Sequence, residues 1–421
     1  MKIKFILLIF FLNLCLASQL MAEDIFSWES CLNYALKNHP DLVASKEKVT
    51  EARSDKNIKA ALKLPQIDFD LTGDRKQQTS GAKSNTFDYD FSLQQLVFDG
   101  FKTSNEVSSA LKTYNAAQYN YALVSSNIRL NLRSAFVELL RAQEFIPITE
   151  AIEERQKQNY ALVKLRYEAG REHRGSLLTA EAGMASTKYE AQQAKRDIIL
   201  ARRSLLKELG ISEFKDIKLD DEFVLSDKYM EKPILEKIAD TTPFLQELIA
   251  KKNAARFDLS SKKADFMPAV YINGSSGRTS NTWPPQDDNW SMGFSVSFPI
   301  FEGGSRIVEV TKAKAKLRRT EAEERSGRNT VLVTLEETWK DLQDSIDYVF
   351  VKKKFLDAAK ERANIASAQY QTGLIFFDDW IIIENNFASA EKSYLDARSD
   401  MLISEAYWIQ AIGGTLEYDK K

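Results

Sequence analysis

The chain repeats itself along its length at a constant offset of 203 residues. The triplet Phe98-Asp99-Gly100 returns as Phe301-Glu302-Gly303, each time between an alternating stretch and a long helical one. Other landmarks recur with no insertion between them: Pro40 and Pro243, Pro65 and Pro268, Tyr167 and Tyr370, Gly170 and Gly373, Glu181 and Glu384, Gly210 and Gly413. Self-similarity over this length indicates two copies of one structural unit. We predict a first repeat at 23–210, a linker at 211–242, a second repeat at 243–413 and a tail at 414–421.

Two stretches of each copy alternate between apolar and polar residues, which is the pattern of a β-strand with two unlike faces. They predict strands at about 66–74 and 86–97, and at about 269–276 and 290–300 in the second copy. A polar turn separates the two strands of each hairpin. The apolar faces are rich in aromatic residues: Phe69, Phe87, Tyr89, Phe91, Trp290 and Phe294. The polar face of the first hairpin carries four carboxylates: Asp68, Asp70, Asp88 and Asp90.

Long helical stretches follow each hairpin and predict one very long helix and one return helix in each copy. The expected bounds are about 101–168 and 176–209, then about 304–371 and 379–412. A helix of the first length would extend for roughly 100 Å at 1.5 Å per residue. The return helices show an apolar seam whose steps alternate between three and four residues, which indicates a left-handed coiled coil. Pro147 predicts a kink in the first long helix, or a break.

The first 22 residues have the pattern of a secretory signal peptide, with two lysines, an apolar run and then small residues. Cys15 raises the alternative of a lipoprotein, although the large Leu14 before it disfavours lipidation. Removal of this segment leaves Cys31 alone, so no intrachain disulfide is expected. The rest of the chain has no apolar run of 18 residues or more, so the sequence predicts no transmembrane helix.

The aromatic strand faces need a cover, and the sequence leaves no spare segment to provide one. In an exported protein, strands of about ten residues with aromatic outer faces suit a lipid bilayer. Four strands cannot close a barrel, and open strand edges are not tolerated in lipid. Several protomers would therefore share one barrel, and three would supply twelve strands, enough for a water-filled pore. The alternative is an ordinary sheet whose apolar face packs on protein.

The order and spacing of several phrases resemble the TolC family of outer membrane efflux proteins over nearly all of the mature chain. The phrases are "LNYALKNHPDL", "LKLPQIDFDL", "LVFDGFKT", "FPIFEGGSR", "YEAGREHRGSLL" and "YQTGLIFFDDW". The resemblance implies an α+β membrane protein, built as a homotrimer with a twelve-stranded outer-membrane β-barrel continuous with a periplasmic α-helical coiled-coil barrel. It also implies partners, namely a periplasmic adaptor (membrane fusion) protein and an inner-membrane pump of the RND, ABC or MFS type.

The resemblance also places the family's periplasmic tips at the turns between the long and return helices. It implies that adaptor docking and gating involve Gly170, Arg171, Arg174, Gly373, Leu374 and Asp379. A simpler reading is that each glycine ends a helix and that Asp379 N-caps the next one. Ile382 stands where the family has a second lumen acid, so either this chain has no ring of aspartates as a gate or Glu384 compensates for the missing acid. Arg171 and Arg174 bind acidic groups of a partner or are solvated tip charges.

The barrel reading assigns the four strand aspartates to the lumen, where they would favour cations or only keep the wall wet. The six aromatic strand residues would face outer-membrane lipid. We expect no enzyme activity, cofactor or metal site, because no catalytic motif is present and the only histidines, His39 and His173, have no second ligand at metal spacing. A net charge of -2 does not suggest nucleic-acid binding.

Two functional hypotheses remain at this stage. The first is a passive outer-membrane conduit for drug efflux, metal efflux or type I protein secretion, driven by an inner-membrane pump. The second is a periplasmic coiled-coil structural or adhesion protein without a pore. Integral association with the outer membrane would distinguish them.

Overall fold

The structure, a computed structural model, describes residues 24–77, 79, 81, 83–223 and 231–418. The predicted signal peptide, Cys15 and the end of the tail lie outside these residues. Within them no helix combines the length and the apolar character needed to cross a membrane. The elements in chain order are β1 (Asp24–Phe26), α1 (Trp28–Asn38), α2 (Pro40–Ala61), β2 (Gln66–Gln77), β3 (Lys83–Phe98), α3 (Lys102–Glu168), α4 (Arg174–Glu208), β4 (Ile217–Leu219), α5 (Leu235–Ala239), α6 (Pro243–Ala264), β5 (Ala269–Ser280), β6 (Asp287–Ser297), α7 (Ser305–Thr372) and α8 (Phe377–Ala411).

The chain divides into two compact units. One, here called the sheet unit, contains Ala44–Leu123 and Glu236–Leu332. The other, here called the tip unit, contains the remaining parts of the chain, Val124–Leu235 and the segments up to Val43 and from Val333 onward.

The sheet unit holds a four-stranded antiparallel sheet in the order β2-β3-β5-β6. The two predicted hairpins are thus joined side by side through β3 and β5. The strands differ from the predicted bounds mainly at the turns, where β2 continues to Gln77, β3 begins at Lys83 and β5 continues to Ser280. Ladder hydrogen bonds join backbone groups, so they continue through polar residues that break the apolar alternation.

The internal duplication is visible in the element lengths. α2 and α6 each have 22 residues, β2 and β5 each have 12, and α4 and α8 each have 35. Each of these pairs begins and ends at the same 203-residue offset. A unit of helix, β-hairpin, long helix and return helix is therefore present twice.

The alternative of a break at Pro147 is wrong, because α3 is one helix of 67 residues with Pro147 inside it. The expected kink stays a prediction. Proline removes one backbone hydrogen bond, and a helix of this length retains many others. The helical turn before Pro147 is also held by hydrogen bonds to β4. The Gln143 side chain accepts a hydrogen bond from the Leu219 N–H at 2.9 Å and donates one to the Leu219 carbonyl at 3.1 Å. These bonds attach β4, which pairs in parallel with β1, to the stretch that contains the proline.

The repeated Phe-acid-Gly motif occupies the junction between a strand and a long helix. The acid interacts with the residue four positions later in both copies. Asp99 Oδ2 accepts a hydrogen bond from the Thr103 N–H at 2.8 Å, which satisfies a donor in the first turn of α3. Glu302 instead forms a two-point ion pair with Arg306, with both N–O distances at 2.8 Å.

The glycine of the motif has the left-handed backbone conformation, with φ of +67° at Gly100 and +59° at Gly303. The next residue is left-handed too, and in the first copy it is Phe101, also at +67°. The surroundings of the two glycines differ. A Cβ at Gly100 would lie 2.3 Å from the Met267 Cβ, whereas one at Gly303 would have nothing within 4 Å.

These surroundings predict unequal effects of the same substitution. Gly303→Ala carries only the left-handed backbone penalty, so we expect it to lower the free energy of unfolding by about 1 kcal/mol. Gly100→Ala adds an overpacked contact with Met267, for a total of about 2–4 kcal/mol. Denaturant unfolding of the detergent-solubilised protein, followed by circular dichroism, measures both. Equal losses would contradict the account.

Candidate functional site

The sheet presents one face of carboxylates and one face of aromatic rings. In the β2–β3 ladder Asp70 lies directly opposite Asp90, Asp68 is opposite Ser92, and Asp88 is opposite Thr72. Residues opposite each other point to the same side, so the four predicted lumen acids share one face. Across β5 and β6 this face continues mainly with small polar residues, namely Asn273, Ser275, Thr279, Asn289, Ser291 and Ser295. It also carries Tyr271 and, opposite Thr279, a fifth carboxylate, Asp287.

The other face carries the six predicted lipid-facing residues. Phe69 is opposite Phe91, with ring centroids 4.8 Å apart, and the same side holds Phe87 and Tyr89. Trp290 and Phe294 lie on this side as well, because β5 pairs with β3 on one edge and with β6 on the other. Most of these aromatic rings are open to solvent, and Trp290 is 80% exposed. A contiguous exposed apolar surface of this kind marks a contact with a partner or with lipid.

The two edges of the sheet are open. β2 pairs only with β3, and β6 pairs only with β5, among the described residues. Each edge strand therefore presents a row of backbone N–H and C=O groups without partners in the sheet, which is a template for pairing with another chain.

The tip unit contains the turns between α3 and α4 and between α7 and α8. Gly170 and Gly373 are left-handed, with φ of +71° and +82°. In both turns the glycine N–H donates to the carbonyl three residues earlier, and the following N–H donates to the carbonyl five residues earlier. This is the Schellman arrangement that ends a helix at a glycine. Both glycines therefore have the helix-terminating role expected of them.

The first tip is polar. His173 is the N-cap of α4, and its Nδ1 accepts a hydrogen bond from the Ser176 N–H at 3.3 Å. His39 also has a structural role, because its Nδ1 accepts from the Asp41 N–H at 3.2 Å and its Nε2 lies 3.6 Å from Glu208. Both histidines therefore have a structural role. Sequence reasoning missed these roles because it tested the histidines only as metal ligands.

Two arginines surround the cap of the first tip. Arg171 and Arg174 are both exposed, and neither side chain forms an ion pair with the described part of the chain. Their charges are available to a partner or to solvent.

The second tip is apolar at its surface. Leu374 is exposed, and Phe376 is 83% exposed. Phe376 has the extended conformation of an N-cap, with φ of -82° and ψ of 163°, and its side chain makes no capping hydrogen bond. The simpler reading of Asp379 is therefore wrong. Asp379 lies inside the first turn of α8, three residues after the cap. A carboxylate at this position is stabilised by the positive end of the helix dipole. The side chain of Asp379 is exposed.

A buried aromatic cluster holds the helices next to the tips. The rings of Tyr370 and Trp380 stack with centroids 4.2 Å apart and planes 11° from parallel. The Arg166 guanidinium lies 4.5 Å from the centre of the Tyr370 ring and donates to the Tyr370 carbonyl at 2.7 Å. The Tyr370 hydroxyl donates to Glu172 at 2.9 Å, so it links the second copy to the first tip. Trp380 lies on α8, which was predicted from its apolar seam, but the stack depends on ring orientations that the sequence pattern does not encode.

Glu384 is buried in the same unit, so it does not replace the missing exposed acid at Ile382. Burial raises the pKa of Glu384, and the nearby Arg155 offsets this effect only in part. Arg155 is already engaged by the carboxylate of Glu391. Glu384 follows the buried Trp380 by one helical turn, so both residues lie on the same buried face of α8.

The described residues offer no group of three or more His, Cys, Asp or Glu side chains placed to hold a metal ion. Cys31 is a free, buried thiol. Burial raises the pKa of Cys31 to about 12, which keeps the thiol protonated and unreactive at neutral pH.

Comparison with known proteins gives a consistent picture over both repeats. The model of a family described as outer membrane efflux protein matches residues 31–211 and 234–414. Outer membrane protein TolC of Vibrio cholerae is 22% identical over 436 residues, which cover 96% of this chain and 94% of the relative. The alkaline protease secretion protein AprF of Pseudomonas aeruginosa is 21% identical over 326 residues, which cover 72% of this chain and 67% of the relative.

A solved structure with the same fold is that of the Campylobacter jejuni CmeC outer membrane channel. It superposes with a TM-score of 0.84 at 18% identity, over 91% of this chain and 85% of the other. At this identity the likeness establishes the fold.

Glu384 gives a pH-dependent prediction. Because burial raises its pKa, the folded state favours the protonated carboxyl, and stability is lost as pH rises through the raised value. Glu384→Gln keeps the shape without the charge. We expect it to raise the Tm at pH 7.5, and we expect the gain to shrink as pH falls towards about 4.3, where an ordinary glutamate is protonated. A gain that is constant across this range would contradict the assignment; the exposed Asp379→Asn is the matched control.

Proposed function

Because the chain belongs to the outer membrane efflux protein family, we propose that it is the outer-membrane channel of a tripartite efflux or type I secretion system. In this proposal three copies form a passive conduit from the periplasm to the exterior. The observation that carries the proposal is the sheet, which has one aromatic face, one carboxylate face and two open edges.

The sheet supports a shared barrel on physical grounds. Open edges would leave backbone groups unsatisfied in lipid, where each such group costs several kcal/mol. Pairing β6 of one copy with β2 of the next removes both edges, and three copies give twelve strands. The aromatic face then contacts lipid, and Asp68, Asp70, Asp88 and Asp90 line the lumen with negative charge.

The tips support docking to a periplasmic adaptor, which would connect the channel to an inner-membrane pump of the RND, ABC or MFS type. The first tip offers the exposed Arg171 and Arg174, and the second offers the exposed Leu374 beside Gly373. Asp379 is exposed at the second tip and is the proposed constriction of the entrance. Conduit activity needs no catalytic residues, so we propose no enzyme activity and no cofactor.

The class of substrate stays open within this proposal. The matching family is described by efflux, whereas the name of the relative AprF refers to protease secretion. The second candidate, a periplasmic coiled coil without a pore, would have to cover the exposed aromatic face with another protein.

A pair of adjacent substitutions tests the orientation of the sheet. Phe91→Asp replaces an aromatic ring with a charge on the face that would contact lipid, where charged side chains are destabilising, so we expect loss of membrane insertion. Ser92→Asp is the matched control, because it places the same charge on the carboxylate face. Insertion is measured as the fraction of protein that resists a carbonate wash of isolated outer membranes. Normal insertion of Phe91→Asp, or equal loss in both variants, would contradict the orientation.

The proposed constriction has its own test in single-channel conductance across planar bilayers. Asp379→Ala removes a charge from the entrance and should raise the conductance about twofold or more if the carboxylates of three copies converge there. The neighbouring Asp378→Ala is the control, since Asp378 is also exposed in the first turn of α8. An unchanged channel in Asp379→Ala would remove the gate assignment.

A further inference from the structure

Inside one chain, the two repeats meet where α3 packs on α6. Lys102 forms an ion pair with Asp265 at 2.8 Å. Ser109 donates a hydrogen bond to Asp258, and Asn120 donates one to Glu247 at 3.3 Å. From one contact to the next, the position on α3 advances by seven and then eleven residues, and the position on α6 moves back by the same numbers. The two helices are therefore antiparallel in one fixed register.

Each of these helices has a counterpart in the other repeat that lacks such a neighbour. α7 corresponds to α3, and α2 corresponds to α6. No hydrogen bond or ion pair between described side chains joins α2 to α7. α2 contacts α3 through Lys59 and Glu106, and α7 contacts α6 through the equivalent pair, Lys262 and Glu309. One flank of α2 and one flank of α7 consequently stay open.

Burial shows which residues form these open flanks. Ser261 of α6 is 4% exposed, whereas Ile58, its counterpart on α2, is 63% exposed. Ala250 and Ala254 are buried on α6, and their counterparts on α2 are the exposed residues Glu47 and Glu51.

The same contrast holds for the other helix pair. Ser109 and Ala116 of α3 are buried, while their counterparts on α7, Lys312 and Arg319, are exposed. Positions that are buried where α3 packs on α6 are therefore exposed at the equivalent places on α7 and α2.

The open flanks have opposite charge. Small residues of α6 are replaced on α2 by glutamates, and small residues of α3 are replaced on α7 by cations. Asp55 of α2 corresponds to Asp258 of α6, which is held by Lys316 at 2.7 Å. The position in the first repeat that is equivalent to Lys316 is occupied by Thr113, which is uncharged. Asp55 therefore lacks the cation that Asp258 has. Lys312 likewise forms no ion pair with the described residues of its own chain.

We infer that the α7 flank of one copy of this chain binds the α2 flank of the next, in the register of α3 on α6, with Lys312 paired to Asp55 of the next copy. Asp55 is opposite Lys312 in that register because Asp258 is opposite Ser109. Arg319 is opposite Lys48 of the next copy in this register, so the inferred attraction rests on the pair of Lys312 and Asp55. This inference rests on the proposed function, since it names the contacts that join the copies of the proposed trimer.

The contact between Lys312 and Asp55 would determine which helices of neighbouring copies pair and in which register. Exposed ion pairs contribute little to stability, whereas opposite charges across an interface favour one register and one partner. Inside the chain the linker and the shared sheet already hold α3 and α6 together, so small residues suffice there. Between chains no covalent connection exists, and complementary flanks supply the register.

Disulfide capture tests the register in native membranes. Asp55→Cys combined with Lys312→Cys should form covalent dimers and trimers under mild oxidation, seen on a non-reducing gel. Ser109→Cys with Asp258→Cys is the internal counterpart, and its crosslink should leave the chain at monomer mass. Asp55→Cys with Lys314→Cys moves one cysteine to another side of α7 and should give roughly tenfold less crosslinked product, because a disulfide needs Cβ atoms close together. Cys31 is buried and common to all variants.

The mass of the detergent-solubilised particle separates this inference from the proposed function. A trimeric particle with no Asp55–Lys312 crosslink would overturn the inference and leave the proposed conduit intact. A monomeric particle would overturn both. Charge reversal provides a second test: Asp55→Lys or Lys312→Asp alone should lower the temperature at which the oligomer dissociates, and the two together should restore it. Failure of the double variant to recover would also overturn the inference.

Discussion

The hydrogen-bonding groups at the two edges of the sheet are the constraint on which the rest of the architecture depends. Four strands joined in the order β2-β3-β5-β6 leave β2 and β6 each with one unpaired side. In water such an edge is a site of aggregation, and in lipid it is not tolerated. The aromatic face adds a second demand, because it must leave water as well. In the proposed trimer a single event, pairing with the next copy inside the membrane, meets both demands.

In the proposed trimer duplication makes this closure possible, because the two repeats present equivalent strands and helices at their boundaries. The repeats have also diverged in chemistry at equivalent positions. At the strand-to-helix junction an aspartate that caps a helix is replaced by a glutamate paired with an arginine. At the tips a polar turn capped by His173 is matched by an apolar turn with an exposed Phe376. On the helix flanks small buried residues of one repeat become charged residues of the other, where a neighbouring chain would replace the internal partner.

Much of the fold could be predicted because it depends on the spacing of apolar residues and on glycines that end helices. The period of two located the strands, the heptad seam located α4 and α8, and Gly170 and Gly373 ended the long helices as expected. The failures have physical causes. Ladder hydrogen bonds carried the strands beyond their apolar residues, and a single proline did not interrupt α3. The cap of α8 is Phe376 without a side-chain bond, which no capping preference would select. Burial of Glu384 and the Tyr370–Trp380 stack depend on packing between distant segments, which one sequence does not display.

The central claim is that the aromatic face of the sheet contacts outer-membrane lipid. Fractionation of a double-membraned bacterium that expresses the full-length chain tests it most directly, with outer membranes washed in carbonate or urea before detergent is added. The account predicts that the protein stays in the membrane pellet through the washes and is released only by detergent. Release by the wash alone would show that the aromatic face has a protein cover, and it would contradict the shared barrel.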